Sequence, residues 1–376
     1  MPMSYGFLST YTPTECGLAT FTAALAEELR AGPPAGHIGV VRVVDQLPGS
    51  TRPEIVHHLV ASAPGGEAEA AAILDGFDAV VVQHEYGIYG GPDGDQVLAV
   101  LERLSVPVIV VLHTVLVDPT PHQREVLERV VDRADAVVTM TPTARRRLLS
   151  GYPVDPARVV LIPHGAADNR RTPAERPARP TILTWGLLGP GKGIEWVVDA
   201  LADLRHLDPE PRYLVVGETH PRVAERDGEA YRHGLMERAA RRGVGHLVEF
   251  DDRYLSLAAL GRLVAQADVV ILPYDSREQV TSGVLVEALA AGKPVIATGF
   301  PHAVELLGGG AGLIVPHGDS AAMAAALRRV LTEPGFADRL GAQAAALAPQ
   351  LLWPAVADRY RALALELIKK RDVAVA

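Results

Sequence analysis

Short β-branched runs alternate along the chain with longer Ala/Leu-rich stretches. The runs predict strands at Ile38–Val44, Ala79–Gln83, Val106–Leu112, Ala136–Thr139 and Val159–Pro163. They recur at Thr181–Trp185, Tyr213–Val216, Leu247–Phe250, Val269–Pro273, Pro294–Thr298 and Gly312–Val315. Several are almost wholly apolar, Val106-Pro-Val-Ile-Val-Val-Leu112 among them. A strand reads this way when helices cover both of its faces. The stretches between, such as Thr20–Arg30, Gln123–Ala134, Ile194–Arg205 and Gly283–Ala291, carry apolar residues at helical spacing. Strand–helix alternation implies parallel sheets of the doubly wound type.

One segment breaks the alternation. Arg170-Arg-Thr-Pro-Ala-Glu-Arg-Pro-Ala-Arg-Pro180 has three prolines and no apolar periodicity, and reads as a linker. Roughly five strands precede it and six follow. This predicts an N-terminal domain over 1–172 and a C-terminal one over 181–350. A last amphipathic helix follows over 351–376, with Pro354 suited to its first turn.

Composition narrows the picture. The 376 residues are 48% hydrophobic and 22% charged, which supports full-sized cores and excludes disorder as the main character. The net charge of −9 argues against a nucleic-acid binder. With Cys16 alone, no intramolecular disulfide can form. No apolar run approaches the ~20 residues that span a bilayer. The opening residues lack a basic segment followed by a long apolar one, so a cytoplasmic location is expected. Arg145-Arg-Arg147 reads as a solvated helix face, with contact to an anionic acceptor or a membrane surface as the alternative.

Two stretches carry candidate chemistry. In Trp185-Gly-Leu-Leu-Gly-Pro-Gly-Lys-Gly-Ile-Glu195 a strand ends in a Gly-rich turn with a lysine, and a helix follows. Glycines let backbone approach an anion, and a helix start favours negative charge. Lys192 adds a point charge for phosphate. Neither the Walker spacing nor the dinucleotide fingerprint fits. In the second stretch a strand ends at Pro273, and Thr281-Ser282-Gly283 opens a helix whose free N–H groups suit a diphosphate. Glu287 lies one turn on, where a carboxylate accepts hydrogen bonds from paired ribose hydroxyls. Thr281 or Ser282 as a plain helix cap is the alternative.

Together these stretches resemble the C-terminal domain of the family-4 (group 1) retaining glycosyltransferases, which have the GT-B fold. The matching residues are Gly186…Lys192-Gly193, Leu272-Pro273, Glu287-Ala-Leu-Ala-Ala-Gly-Lys-Pro-Val-Ile-Ala-Thr298 and Gly312-Leu-Ile-Val-Pro316. The N-terminal half adds Cys16-Gly17, His113-Thr114 and Ile162-Pro-His-Gly165. The resemblance implies two Rossmann-like domains facing across a cleft, with the last helix packing back toward the first. It implies a nucleotide-sugar donor held by the second domain, through Gly186, Lys192 and the amides and hydroxyls at Thr281, Ser282, Gly283 and Val284. Glu287 binds the ribose, the base rests near Asp251–Leu257, and Gly17 approaches the donor phosphate. His113 touches the donor sugar, as does the first acid of a Glu-x7-Glu pair. That position is Gln279 here, and Leu188 stands where the family has an arginine.

His84-Glu85-Tyr86 follows the Ala79–Gln83 strand, and a carboxylate with tyrosine suits sugar hydroxyls and sugar faces. These residues are assigned to the acceptor, with a plain turn as the alternative. His57-His58 are adjacent and do not converge on one ion. The resemblance implies transfer without metal or other cofactor, in carbohydrate biosynthesis, from GDP-mannose or a UDP-sugar to a carbohydrate or other hydroxyl. A sugar-nucleotide epimerase of the same fold and a non-catalytic nucleotide-sugar-binding protein are the rival readings.

Overall fold

The computed structural model describes residues 3–375 apart from 33–34, 50–51, 62, 64 and 176; position 176 of the expected linker thus lies outside the described residues. The chain forms two compact units. One runs to Gly165 and resumes at Trp353; the other is Ala166–Leu352.

The first unit holds seven parallel strands: β1 (Ser4–Ser9), β2 (His37–Val44), β3 (Ile55–Val60), β4 (Ala79–His84), β5 (Val108–Leu112), β6 (Ala136–Thr139) and β7 (Val159–Leu161). Their order is β3-β2-β1-β4-β5-β6-β7. The second unit holds six: β8 (Thr181–Trp185), β9 (Arg212–Val216), β10 (Val248–Asp251), β11 (Val269–Leu272), β12 (Val295–Thr298) and β13 (Gly312–Val315). Their order is β10-β9-β8-β11-β12-β13, again all parallel. The winding reverses between β1 and β4, and between β8 and β11. A crevice at the carboxyl ends of such a pair is where open α/β sheets bind ligands.

The first half has seven strands and not five, since the apolar pattern misses two. β1 reads Ser-Tyr-Gly-Phe-Leu-Ser, with small polar ends and a glycine at its centre. Gly6 makes room for Leu74 and Phe77, whose side chains lie 2.9 and 3.0 Å from where its Cβ would be. β3 is an edge strand whose His57 and His58 interrupt the apolar run. The helix expected over Ile194–Arg205 ends at Ala200 and continues as a 3-10 turn, Leu201–Asp203.

The passage between units lies earlier than the proline-rich segment. The Ala166 N–H donates to the Leu351 carbonyl at 2.8 Å, and Ala166 bridges Leu352 in parallel. Residues from 166 on are therefore tied into the second unit, not the first. At the other end Trp353–Val375 is a helix that joins the first unit. Val356 and Tyr360 are fully buried in the core that also contains Phe7, Phe21 and Leu25. Trp353 meets Phe21 edge-on at 5.0 Å.

Candidate active site

The two glycine- and hydroxyl-bearing loops of the second unit leave β8 and β11, the pair at which its sheet changes direction. They are stitched together. The Asp275 N–H donates to the Gly191 carbonyl at 3.0 Å, and Asp275 accepts from the Trp196 indole at 2.8 Å. Gly186, Gly191 and Gly193 all have positive φ, at 126, 89 and 65°. At Gly193 any Cβ would collide with the Pro273 carbonyl oxygen. Gly193→Ala is therefore expected to cost about 2 kcal/mol or more through backbone strain and the clash. Calorimetry should show a melting temperature lower by about 5 °C or more; an unchanged value would mean that the two loops are not held together.

Lys192 is half-buried, its Nζ 4.9 Å from the centre of the Tyr274 ring. Burial lowers its pKa below the usual lysine value. His220, at the start of the helix Pro221–Asp227, is close enough for the lysine's charge to depress its own pKa, after burial and Arg222. Leu188 does not face a ligand: it is 1% exposed, in the core with Ile194 and Val197.

The helix Gly283–Ala290 is capped by Ser282, whose hydroxyl accepts the Leu285 N–H at 3.3 Å. The Ser282 N–H is already used, donating to His302 Nδ1 at 2.9 Å. Of the amides assigned to the diphosphate, that one is therefore engaged. The Gly283 and Val284 amides, in the helix's first turn, remain, while the Ser282 hydroxyl also bonds the Tyr274 side chain. Thr281 adds a buried Oγ1 with no partner among the described residues. The Val284 side chain comes within 3.9 Å of a Cβ placed on Gly186, so both loops line one space. Gln279 bonds forward along its own loop, its Nε2 donating to the Thr281 carbonyl at 3.0 Å, which steadies the loop ahead of the cap. Glu287 is pushed up to about 7 by burial, offset in part by a hydrogen bond from the backbone of Ala167. The expected base loop starts at Asp251, which closes on Arg253 at 2.6 Å and, through its carbonyl, accepts the Gly217 N–H at 2.8 Å.

In the first unit β4 and β5 bring Gln83, His84 and His113 to one sheet end. His113 Nε2 lies 2.7 Å from Gln83 Oε1, so with the amide assigned this way it donates. Its ring meets Phe21 edge-on at 5.0 Å. Burial, with the fields of His164 and His84, pushes it down to about 3. A neutral imidazole makes directed hydrogen bonds but supplies no charge to a diphosphate. His164 packs on the same Phe21 and is held by the Gly165 carbonyl at 2.7 Å. Glu85 accepts from Thr114 Oγ1 at 2.5 Å and from the Tyr86 N–H at 3.1 Å. Tyr86 donates to the Gln123 carbonyl at 3.3 Å. His84 is 1% exposed and packs edge-on against Tyr86, so it backs that tyrosine and, contrary to its expected role, offers no surface of its own to an acceptor. Gly17 opens the helix Gly17–Ala31 after the Cys16 cap, and a Cβ there would meet nothing within 4 Å.

Sequence reasoning missed Gln83, Tyr274 and His302. Gln83 and Tyr274 sit at or next to the end of a strand, which is the available signal. His302 lies in a short helix after β12, and only the folded chain brings it to Ser282.

The pattern described as glycosyl transferases group 1 matches residues 179–333, and that of glycosyltransferase family 4 matches 17–170. A D-inositol 3-phosphate glycosyltransferase from Geodermatophilus obscurus is 30% identical over 356 residues, covering 84% of this chain and 74% of that one. The chain belongs to the group 1 glycosyltransferases. A family member of the same description from Rhodococcus jostii is 31% identical over 270 residues, but the match spans only 57% of its length. Among solved structures, a glycosyltransferase from Rickettsia africae aligns with a TM-score of 0.75 at 16% identity, covering 98% of this chain and all of that one. HepE from Anabaena, in complex with UDP, gives 0.75 at 17%, covering 97% and 100%. These likenesses, with the two parallel sheets, make the fold GT-B. No helix among the described residues is long and apolar enough to cross a membrane.

Proposed function

We propose that this chain transfers a sugar from a nucleoside diphosphate sugar to a hydroxyl acceptor, with retention at the anomeric carbon and without a metal. The observation that carries the reading is the joined pair of loops at β8 and β11. They set a desolvated lysine, unpaired helix-start amides and a buried, unpartnered hydroxyl around one space, with a carboxylate one turn away.

Lys192, Gly186, the hydroxyls of Thr281 and Ser282, and the amides of Gly283 and Val284 take the diphosphate. Fixed donors in a water-poor site stabilise the charge that develops on the leaving group. Glu287 accepts from the ribose hydroxyls. The Gln279 carbonyl oxygen accepts from a sugar hydroxyl, and neutral His113 bonds another. Gly17 lets backbone approach a phosphate. Glu85 and Tyr86 bind the acceptor, supported by His84. No side chain stands out as a covalent nucleophile, so the leaving phosphate takes the acceptor's proton on the face it departs from.

Mannose from GDP-mannose is one donor for this site. UDP-glucose is the other, because HepE is a neighbour whose solved complexes contain it. The relatives' D-inositol 3-phosphate is the first acceptor to supply.

Thermal melts with GDP, UDP and ADP, each with Mg²⁺ or EDTA, test the reading. One nucleotide is expected to stabilise by about 2.7 kcal/mol at 100 times its Kd, equally in both conditions. That nucleotide's sugar should then disappear only when acceptor is present. No response to any nucleotide would overturn the donor site, and turnover without acceptor would indicate an epimerase.

A further inference from the structure

The loops that leave β4 and β5 are fastened to one another at three points. At their roots Thr114 Oγ1 donates to Glu85. Midway the Tyr86 O–H donates to the Gln123 carbonyl at 3.3 Å. At the tip two residues that open the helix Pro121–Arg133 reach Asp93, His122 through Nδ1 at 2.9 Å and Gln123 through Nε2 at 3.3 Å. Gln123 is itself fixed, because its Oε1 accepts the Thr120 N–H at 3.0 Å in a capping box.

The tip is shaped around this contact. Gly91, Asp93 and Gly94 have φ of 77, 49 and 75°. Among the described residues Asp93 is the one non-glycine with positive φ. Glycine takes that conformation without strain, so what an aspartate adds there is its carboxylate. A Cβ on Gly91 would collide with Asp95 Oδ1, so the second carboxylate is tucked against the loop. Its Oδ2 lies 3.7 Å from His122 Nε2. The imidazole thus has a carboxylate at each nitrogen. A neutral ring has one N–H and turns a lone pair on the other carboxylate; the imidazolium donates to both. The charged groups acting on the ring are Asp93 and Asp95 from the loop and Glu125 from its own helix. Together, with the Asp93 hydrogen bond foremost, they raise its pKa. Glu102, just past the neighbouring helix Gln96–Leu101, is taken up by Arg129 at 2.6 Å.

We propose that His122 is a positioning residue, whose imidazolium grips Asp93 and Asp95 and so holds the segment 85–95 in the form that presents Glu85 and Tyr86. The consequence for transfer rests on the acceptor role given to those two residues above; the clamp itself does not. A raised folded pKa means that the clamp is complete below the ordinary histidine value and is lost as pH rises through the folded one. One of the two carboxylates then loses its donor, the tip loosens, and the acceptor residues lose their placing.

The test follows hydrogen exchange in the full chain and in His122→Gln between pH 6 and 9, with rates corrected for the chemical effect of pH. The Asp95 N–H, bonded to the Pro92 carbonyl at 3.1 Å, and the Gln96 N–H, bonded to the Gly90 carbonyl at 3.1 Å, report closure of the loop. Their protection in the wild type is expected to fall about three- to tenfold across that range, the scale of an exposed ion pair and its hydrogen bond. In the variant it should stay at the wild type's pH 9 level throughout, with β5 unchanged. The His122 ring signal in proton NMR should titrate above the ordinary histidine value, and closer to it in Asp93→Asn. With D-inositol 3-phosphate as the acceptor supplied, its KM should rise by the same factor with pH in the wild type alone, while kcat and the donor KM hold. Absence of turnover would count against the transferase reading, and the exchange data would still decide on the clamp. Loop protection that is equal at pH 6 and pH 9, and equal in wild type and variant, would overturn the proposal and leave the pair a solvated surface contact.

Discussion

Lys192→Ala is expected to lower kcat/KM by about 10²- to 10³-fold, the cost typical of removing one preorganised donor from a developing anion. The lysine is half-buried over Tyr274, with burial already depressing its pKa. A cation stripped of water interacts more strongly with a diphosphate than one in bulk solvent. The second cation that the family pattern leads one to expect is replaced by Leu188, which is in the core. The full burden of charge in this loop therefore falls on Lys192. The same variant should bind nucleoside diphosphate more weakly but leave binding of the nucleoside alone nearly intact. A loss of less than about fivefold, on the other hand, would remove Lys192 from the diphosphate site, since even one charged hydrogen bond contributes more.

Glu287→Gln should weaken nucleotide binding by about 10- to 100-fold at pH 8, since hydrogen bonds to a charged acceptor contribute roughly 1.5–3 kcal/mol. The same change should stabilise the protein. Burial pushes the folded carboxyl up to about 7, well above the usual carboxylate range. A raised carboxylate pKa means that folding favours the protonated form. That preference helps stability at low pH and is lost as pH rises through the folded pKa. Above pH 7 the wild type then carries a burden of at most about 3 kcal/mol that glutamine lacks. The variant should melt higher than wild type at pH 8 and close to it at pH 4. Donor affinity of the wild type should fall as pH drops below 7, because the ribose hydroxyls need the ionised acceptor. The glutamine variant should show no such dependence. Equal melting temperatures at pH 8 would show that the carboxylate is not desolvated as the fold implies.

Much of this was legible in the chain, and the omissions have physical causes. Eleven strands announce themselves by their apolar runs, most of them because both faces are covered, as at Val108–Leu112. β1 and β3 do not, because Gly6 gives up its side chain to Phe77 and Leu74, and the edge of a sheet tolerates His57 and His58. The two loops of the second unit could each be read alone. Their joining through Gly191 and Asp275 spans more than eighty residues and leaves no local trace. Glu287 could be picked out as a carboxylate one turn into a helix. The burial that raises its pKa could not, nor could the Ala167 backbone bond that partly offsets the rise, which comes from a segment that reads as the end of the other half. Similarly, the serine cap at 282 was readable, but His302 taking its amide was not.

The chain leaves the first unit at Gly165 and returns at Trp353, and the two crossings are neighbours, with a Cβ on Gly165 colliding with the Trp353 ring. Synthesis runs in one direction, so the order of assembly is constrained. When residues 1–165 have emerged, the face of Phe21 and Leu25 still lacks Val356 and Tyr360. The whole of the second unit is made before that helix arrives. On the ribosome, the half that begins first is therefore finished last, and through that interval an apolar face of its core lies open to water.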